Sequence, residues 1–430
     1  MNADSGMRGT GLLEGAARFE SAPGLLARLL APGFGKLLDR IDRGLAQGSI
    51  TGHLPDGTTR LLGGRAPGFD AVIHLHSWRA LVRLATNGSV GWYQAWEAGE
   101  WDSPDLVKVF AVFGQNAGAL GSAGRAKSFW RFALKHAHWL NRNTRAGSER
   151  NIQAHYDLGN DFYAAWLDLS MAYSSARFLE APVLPTDLEA GQEFKMSAVS
   201  ERIMPDPGKK LLEIGCGWGS LSWAFAHQFD VQVTAISLSD EQLAWARAKL
   251  GDEPNLEFRK QDYRDVHGQY DGIYSVEMVE ALGRENWPAF MDCITRNLVP
   301  GGRAAIQFIS MRDDLFDAYA ASADFIQAYI FPGGMLIRTS EFRRLAEDRG
   351  LRWCDQDDFG LDYAETLRLW RENFDRAVSL SRLPAGFDER FQRLWRFYLQ
   401  YCEGGFRSGS IDVHQVTLVK RKQGFQGESR

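Results

Sequence analysis

Cysteine is scarce in this chain: the 4 in 430 residues, Cys216, Cys293, Cys354 and Cys402, include no Cys-x-x-Cys pair. That argues against a zinc site or a disulfide framework, so no metal site is expected and a reducing, cytoplasmic setting is. No run reaches the ~18 apolar residues needed to cross a bilayer, and the first residues lack a charged stretch followed by an apolar one. An integral membrane protein is therefore not expected. Cationic charge is not in excess either, and a net charge of −5 excludes a bulk basic surface for nucleic acid. Internal repeats and low-complexity tracts are missing. Aromatic residues are plentiful, with 14 Trp and 26 Phe. A large core absorbs most of them, and the remainder suit an aromatic-lined apolar pocket.

The length suits two domains. Residues 1–30 are rich in Gly and Ala and read as a poorly defined lead-in. Residues 31–122 read as a small α+β domain, in which Leu54-Pro-Asp-Gly-Thr58 is a hairpin turn and Ala71 to Leu75 a buried strand. Trp92, Trp96 and Trp101 fall near Asp102, just before a helix expected from about Ser103; stacked core aromatics are the simpler reading. Residues 123–150 form a basic stretch in which Arg125, Lys127, Arg131 and Lys135 interleave with Phe129, Trp130 and Phe132. As a helix it could lie on an anionic membrane surface or serve as a solvated linker. Residues 151–422 are the second domain and 423–430 a tail.

From Lys209 the pattern alternates. Strands are expected at Lys210–Ile214, Val231–Ile236, Leu256–Arg259, Gly272–Val276 and Arg303–Ile309, with helices at Trp218–Gln228, Asp240–Leu250 and Glu285–Leu298. Such alternation specifies an α/β fold, a Rossmann-like parallel sheet with helices on both faces. Leu351–Cys354 and Val413–Lys420 bring the sheet to seven strands, the last two an antiparallel edge. Segments 311–340 and 360–408 read as helical insertions over the site. The first strand runs into LLEIGCGWGS, whose Gly215, Gly217 and Gly219 let backbone approach a ligand at a helix N-terminus. The third Gly comes one residue too early for the dinucleotide fingerprint. Glu213 followed by Gly-x-Gly-x-Gly instead resembles the first motif of class I S-adenosylmethionine (SAM) methyltransferases. After the second strand Ser237 stands where a ribose commonly meets an acid, and Gln242 could make that contact. After the third, Asp262 offers a carboxylate to the adenine amino group and Tyr263 an aromatic face. After the fourth come Glu277 and Glu280, two carboxylates in an otherwise apolar site; Glu277 reads as an exposed helix-cap acid and Glu280 as functional.

Separated segments carry a more specific resemblance: HYDLGNDFYAAWLDLSMAYSSARF from His155, LLEIGCGWGSLS with ISLSDEQ, VEMVEALG, DFIQAYIFPGGML from Asp324, FGLDY ending at Tyr363, and WRFYLQYCEGGF from Trp395. Over roughly residues 40–420 the chain resembles the cyclopropane-fatty-acyl-phospholipid synthase family, which modifies double bonds of lipid acyl chains with SAM. The resemblance implies that Tyr173 and Ser174 close over SAM and that Gly215, Gly217, Ser237, Gln242, Asp262 and Tyr263 occupy cofactor positions. It implies that Glu280 and Tyr363, with backbone from Ile309, hold a bicarbonate ion that acts as general base. Ser175 stands where the family commonly has Cys, Gln307 where many members have His, and Ala281 where His is expected after Glu280. Both Ser175 backbone and Gln307 can still donate to an anion.

The reaction implied is methylation of a cis double bond in a phospholipid acyl chain, giving a carbocation and, after proton loss, a cyclopropane or a methyl- or methylene-branched chain. Tyr329, Phe331, Trp395, Tyr398 and Phe406 are candidates to line the cation, with ordinary packing the competing role. The resemblance further implies a small lipid-associated N-terminal domain, peripheral contact with the inner face of the membrane, and a homodimer. Methylation of a small soluble molecule and catalytically inactive lipid binding are the competing functions.

Overall fold

The computed structural model describes residues 8–9, 12–13, 34–120, 158–321 and 324–422. The basic stretch 123–150, the tail 423–430, most of 1–30 and the opening His155–Asp157 of one family segment lie outside them.

The chain packs as two units interleaved in sequence. One draws on Met1–Arg142, Arg312–Gly334 and Ala385–Ile411, the other on Asn143–Met311, Met335–Pro384 and Asp412–Arg430. In the first unit, β1 (Ser49–His53) pairs antiparallel with β2 (Thr59–Gly63) across the turn expected at Leu54–Thr58, and parallel with β3 (Asp70–Leu75). The two-residue β4 (Trp101–Asp102) completes the order β2-β1-β3-β4. Trp92 and Trp101 stack at 4.1 Å between ring centroids, both buried, which is the packing role the sequence suggested. Asp105 caps the helix Leu106–Gln115 by accepting from Lys108 N at 3.1 Å.

Segments 312–334 and 385–411, which the sequence reading placed in the second domain, belong to this first unit. The physical reason is an aromatic core. Tyr93 meets Phe325, Tyr329 and Phe397 with centroids at 5.0, 4.5 and 4.9 Å, and Phe110 meets Phe397 at 5.1 Å. Asp324 caps the short helix Phe325–Tyr329 and accepts from Ser89 Oγ at 2.8 Å and Tyr401 Oη at 2.6 Å. The diagnostic DFIQAY segment is thus anchored by its acid.

The second unit is the expected sheet. Its strands are β5 (Lys210–Ile214), β6 (Gln232–Ser237), β7 (Leu256–Lys260), β8 (Tyr270–Val276), β9 (Leu298–Met311), β10 (Leu351–Asp358) and β11 (Ile411–Lys420), in the order β10-β11-β9-β8-β5-β6-β7. β5 to β9 pair in parallel and β10 with β11 antiparallel. Parallel strands covered on both faces are near-continuously apolar, as KLLEI of β5 is; Leu211, Leu212 and Ile214 are buried. Phe225, from the helix Ser220–Phe229, packs with Val199, Ile203, Leu211 and Val233, and burying one such ring contributes roughly 1.5–3 kcal/mol. Reversal of strand order on either side of β5 opens a crevice at the carboxyl ends, where β5, β6 and β8 deliver their loops.

Candidate active site

Gly215 N and Cys216 N both donate to Ile236 O at 3.0 Å, clipping the turn after β5 to the end of β6. Gly215, Gly217 and Gly219 all have positive φ, so the turn requires the conformation these residues supply. A Cβ on Gly219 would lie 2.6 Å from the Phe258 ring, whereas one on Gly217 would project into open space. That space is a cleft of about 1060 Å³ including its mouth, lined by the turn, Tyr173, Ser174, Lys195, Glu213, Ser237, Gln242, Tyr263, Glu277 and Met278.

The expected cofactor residues converge here with one exception. Ser239 caps the helix Asp240–Leu250, and Ser237 Oγ donates to Gln242 Oε1 at 3.3 Å, so the two groups expected near a ribose face the cleft together. Tyr263 is buried in the lining, and its hydroxyl has no hydrogen-bond partner among the described residues. Such a group costs free energy unless a ligand satisfies it. Tyr173 closes one wall, its ring 5.4 Å from Tyr163 and 5.3 Å from Trp370. Ser174 is tied to the helix Asp187–Ile203: Gln192 Nε2 donates to its carbonyl at 2.9 Å and Lys195 Nζ to its hydroxyl at 2.7 Å. Glu213 borders the cleft but accepts from the Ser222 hydroxyl, and burial pushes its carboxyl up to about 7. The exception is Asp262, which is not part of the lining; its carboxylate accepts from Arg264 N and from the Arg264 guanidinium, at 2.9 Å to Nε. The short Tyr263–Asp265 helical turn that makes this pairing possible carries Tyr263 into the cleft instead.

The groups expected around a bicarbonate ion sit differently from the sequence reading. Tyr363 Oη donates to Glu277 Oε2 at 2.6 Å, Ser175 N to Glu277 Oε1 at 2.9 Å, and Gln307 Nε2 to the same oxygen at 2.8 Å. Ile309 N donates to Glu280 Oε1, while Glu280 Oε2 is buried without a partner among the described residues. Glu277, read from sequence as an exposed cap, is therefore only partly exposed and is the centre of the constellation. It alone of these six residues lines the cleft. Its φ of 50° lies in the left-handed region, and this turn after β8 aims its side chain inward. A bicarbonate ion does not fit: every donor expected to hold it is already committed to a carboxylate of the chain, and a further anion would meet like charge.

Burial raises the Glu277 carboxyl, opposed by the Tyr363, Ser175 and Gln307 hydrogen bonds and by the charge of Lys195. Glu280 is raised to about 8, first by burial and then by the Glu277 charge, opposed by backbone hydrogen bonds from Ile309 and from Glu280 itself. The two carboxyls are thus placed differently, Glu277 with three donors from other residues and Glu280 with one. Lys195, fully enclosed beside them, has its ammonium pulled down by burial and is supported by Glu277, Asp168 and Glu213.

Sequence reasoning missed Glu277, Lys195, Gln192 and Gln415. Gln415 Nε2 donates to Gln307 Oε1 at 2.9 Å, and Gln415 Oε1 accepts from Arg177 at 3.2 Å and Arg202 at 3.4 Å. Because guanidinium only donates, the arginines fix which way the Gln415 amide faces, which fixes Gln307 and leaves Gln307 Nε2 for Glu277. Polar residues inside β11 were the only signal available. The candidate cation-lining rings Tyr329, Phe331, Trp395, Tyr398 and Phe406 all belong to the other unit, and none lines the cleft. Tyr329, Trp395, Tyr398 and Phe406 are buried there in that unit's own packing.

Residues 143–416 match the family described as mycolic acid cyclopropane synthetase. A tuberculostearic acid methyltransferase of Mycobacterium tuberculosis is 38% identical over 396 residues, 86% of this chain and 88% of that protein. The cyclopropane-fatty-acyl-phospholipid synthase of Escherichia coli is 34% identical over 270 residues, 62% of this chain and 66% of that protein. Among solved structures, a cyclopropane synthase from Mycobacterium tuberculosis aligns with a TM-score of 0.58 at 27% identity, over 63% of this chain and 98% of that one. The same figures hold for a mycolic acid cyclopropane synthase in complex with SAH and CTAB.

Proposed function

The chain belongs to the mycolic acid cyclopropane synthetase family and is a SAM-dependent lipid methyltransferase, and from that premise we propose that it methylates the cis double bond of an unsaturated acyl chain carried by a membrane phospholipid. The observation that carries this reading is a cleft holding both the glycine turn of a SAM site and a half-buried carboxylate, Glu277, able to accept a proton. Gly215, Gly217, Ser237, Gln242 and Tyr263 would hold the cofactor, with Tyr173 and Ser174 closing over it. Bound there, SAM supplies an electrophilic methyl group to the alkene, leaving a carbocation on the acyl chain.

An isolated alkene is a feeble nucleophile, so the protein's contribution is alignment and exclusion of water. Tyr173 and Trp218, which line the cleft and are backed by the rings of Tyr163, Trp166 and Trp370, suit that task. Covalent catalysis is not needed: Cys216 borders the cleft, but burial pushes its thiol well up and it stays protonated. Proton loss from the new methyl group closes a cyclopropane; loss from a neighbouring carbon leaves a branched chain. The relative that matches 86% of this chain is a tuberculostearic acid methyltransferase, which favours the branched product over the ring. The acyl chains lie in a bilayer, and no helix of the described residues is long and apolar enough to cross one. Peripheral contact at the cytoplasmic face, through the basic stretch 123–150, is the arrangement that fits.

The test is mass spectrometry of total fatty acids from bacteria expressing the chain, fed methyl-labelled methionine, beside an empty-vector control. A labelled gain of one CH₂ is expected, and fragmentation separates branch from ring. Purified protein that binds SAM yet labels no unsaturated lipid would overturn the reading in favour of an inactive lipid-binding protein.

A further inference from the structure

Resting on that reading, we propose that Glu277 is the built-in general base of this enzyme, its carboxylate taking the place that the family resemblance gives to a bicarbonate ion. Three of the donors that the resemblance assigns to the ion end on Glu277, from Tyr363 Oη, Ser175 N and Gln307 Nε2 at 2.6, 2.9 and 2.8 Å. The fourth, Ile309 N, ends on Glu280. Two of the three departures from the family pattern, Ser175 and Gln307, serve this arrangement. Ser175 contributes backbone, and its hydroxyl turns away to donate to Ala176 O at 2.8 Å. Gln307 presents a neutral N–H whose direction is set by the Arg177, Arg202 and Gln415 relay.

The backbone at residue 277 argues the same way. A φ of 50° is a position where glycine is at ease and where a glutamate is held at a cost in free energy. The side chain held there at that cost reaches the cleft, and Glu280, three residues on, does not. Burial raises both carboxyls, and at Glu277 the Tyr363, Ser175 and Gln307 hydrogen bonds and the Lys195 charge oppose the rise. The step balances without a further reactant. A Glu277 oxygen takes a proton from the methyl group or carbon next to the cationic centre, and the C–H electron pair becomes the new C–C bond of a ring or the new C=C bond. Glu277 is left neutral and returns its proton to solvent once product departs.

The test needs no variant to begin. Full-length wild type is assayed for labelled lipid in CO₂-depleted buffer with and without millimolar bicarbonate, and ¹³C-bicarbonate is titrated with the protein by NMR line width. Turnover independent of bicarbonate and no saturable broadening are expected; saturable binding, or turnover that requires the ion, overturns the proposal. Glu277→Gln should lose ~10²- to 10⁴-fold in turnover while binding SAH as wild type does by calorimetry. Glu277→Gly, which suits the backbone and opens the anion position, should regain turnover when bicarbonate is added, a rescue that a purely structural role would not give. Wild type that labels no lipid under either condition refutes the alkene reading, and the NMR titration still decides whether the chain's own carboxylate has displaced the ion.

Discussion

Glu280 sits beside the cleft with one oxygen bonded to Ile309 N and the other without a partner among the described residues, which makes its protonation state a stability statement. In an unfolded chain such a carboxyl ionises near ~4.3; in the fold it does so only at about 8. Between those values the folded protein keeps a proton that the unfolded chain has released, so this residue's contribution to stability declines as pH rises through the window and is level above it. Glu280→Gln removes the declining term. The variant's Tm should match wild type near pH ~4 and exceed it by several degrees near pH ~8, at ~2–4 °C per kcal/mol for a unit of this size. A Tm difference that does not change with pH would mean that Glu280 ionises ordinarily. The same residue illustrates what the sequence hid: VEMVEALG shows two acids three apart, and which one meets Tyr363 depends on a left-handed residue that no spacing rule announces.

The turn after β5 is the element on which the cofactor site depends, and its glycines do separate jobs. Gly219 combines a φ of 85° with a Phe258 ring 2.6 Å from where a Cβ would stand. Gly219→Ala should therefore destabilise the fold, by ~1–2 kcal/mol for the backbone alone and more for the displaced ring, read as a lowered Tm without ligand. Gly217, with φ 53° and open space at its Cβ direction, lines the cleft. Gly217→Ala should cost SAH affinity more than it costs Tm, and calorimetry beside a thermal scan separates the two. If both variants lost the same Tm and kept SAH affinity, the turn would be a packing device only. This element was legible in advance because a parallel strand, a glycine turn and a helix are dictated by adjacent residues. The boundaries of β9, expected from Arg303 and observed from Leu298, were less so. Pro300, Gly301 and Gly302 fall where the register with β8 jumps from Leu298 to Arg303.

At the scale of the whole molecule, the interleaving of the units sets what can be removed. The helix Glu389–Arg407 puts Phe397 and Tyr401 against Phe110, and Gly404 lets it approach so closely that a Cβ would fall 2.8 Å from Val107 O. The chain from 143 onward would carry this helix without the residues that cover it. Expression of residues 143–430 should give aggregated protein where the full chain is soluble, measured by size exclusion. A monodisperse fragment that still binds SAH would mean that the inserted helices find other cover. Sequence order suggested one small domain followed by one large one, because domain boundaries were sought in linkers. Segments 312–334 and 385–411 have helical, half-apolar patterns that suit either unit, and only the positions of Tyr93, Phe110 and Phe325 assign them.

By itself the sequence determined the α/β sheet, its seven strands and the cofactor turn, and with them the family, since these follow from local periodicity and from motifs of neighbouring residues. It also brought Ser175, Gln307, Ile309 and Tyr363 to attention as a set. Tertiary structure alone decided which carboxylate they serve. Those donors come from a loop before the sheet, from β9 and from the helix Gly360–Ser379, and hydrogen-bond direction among them is fixed by Arg177 and Arg202 through Gln415. Charge, burial and donor geometry at one point in space are sums over residues far apart in the chain, and that sum selects Glu277.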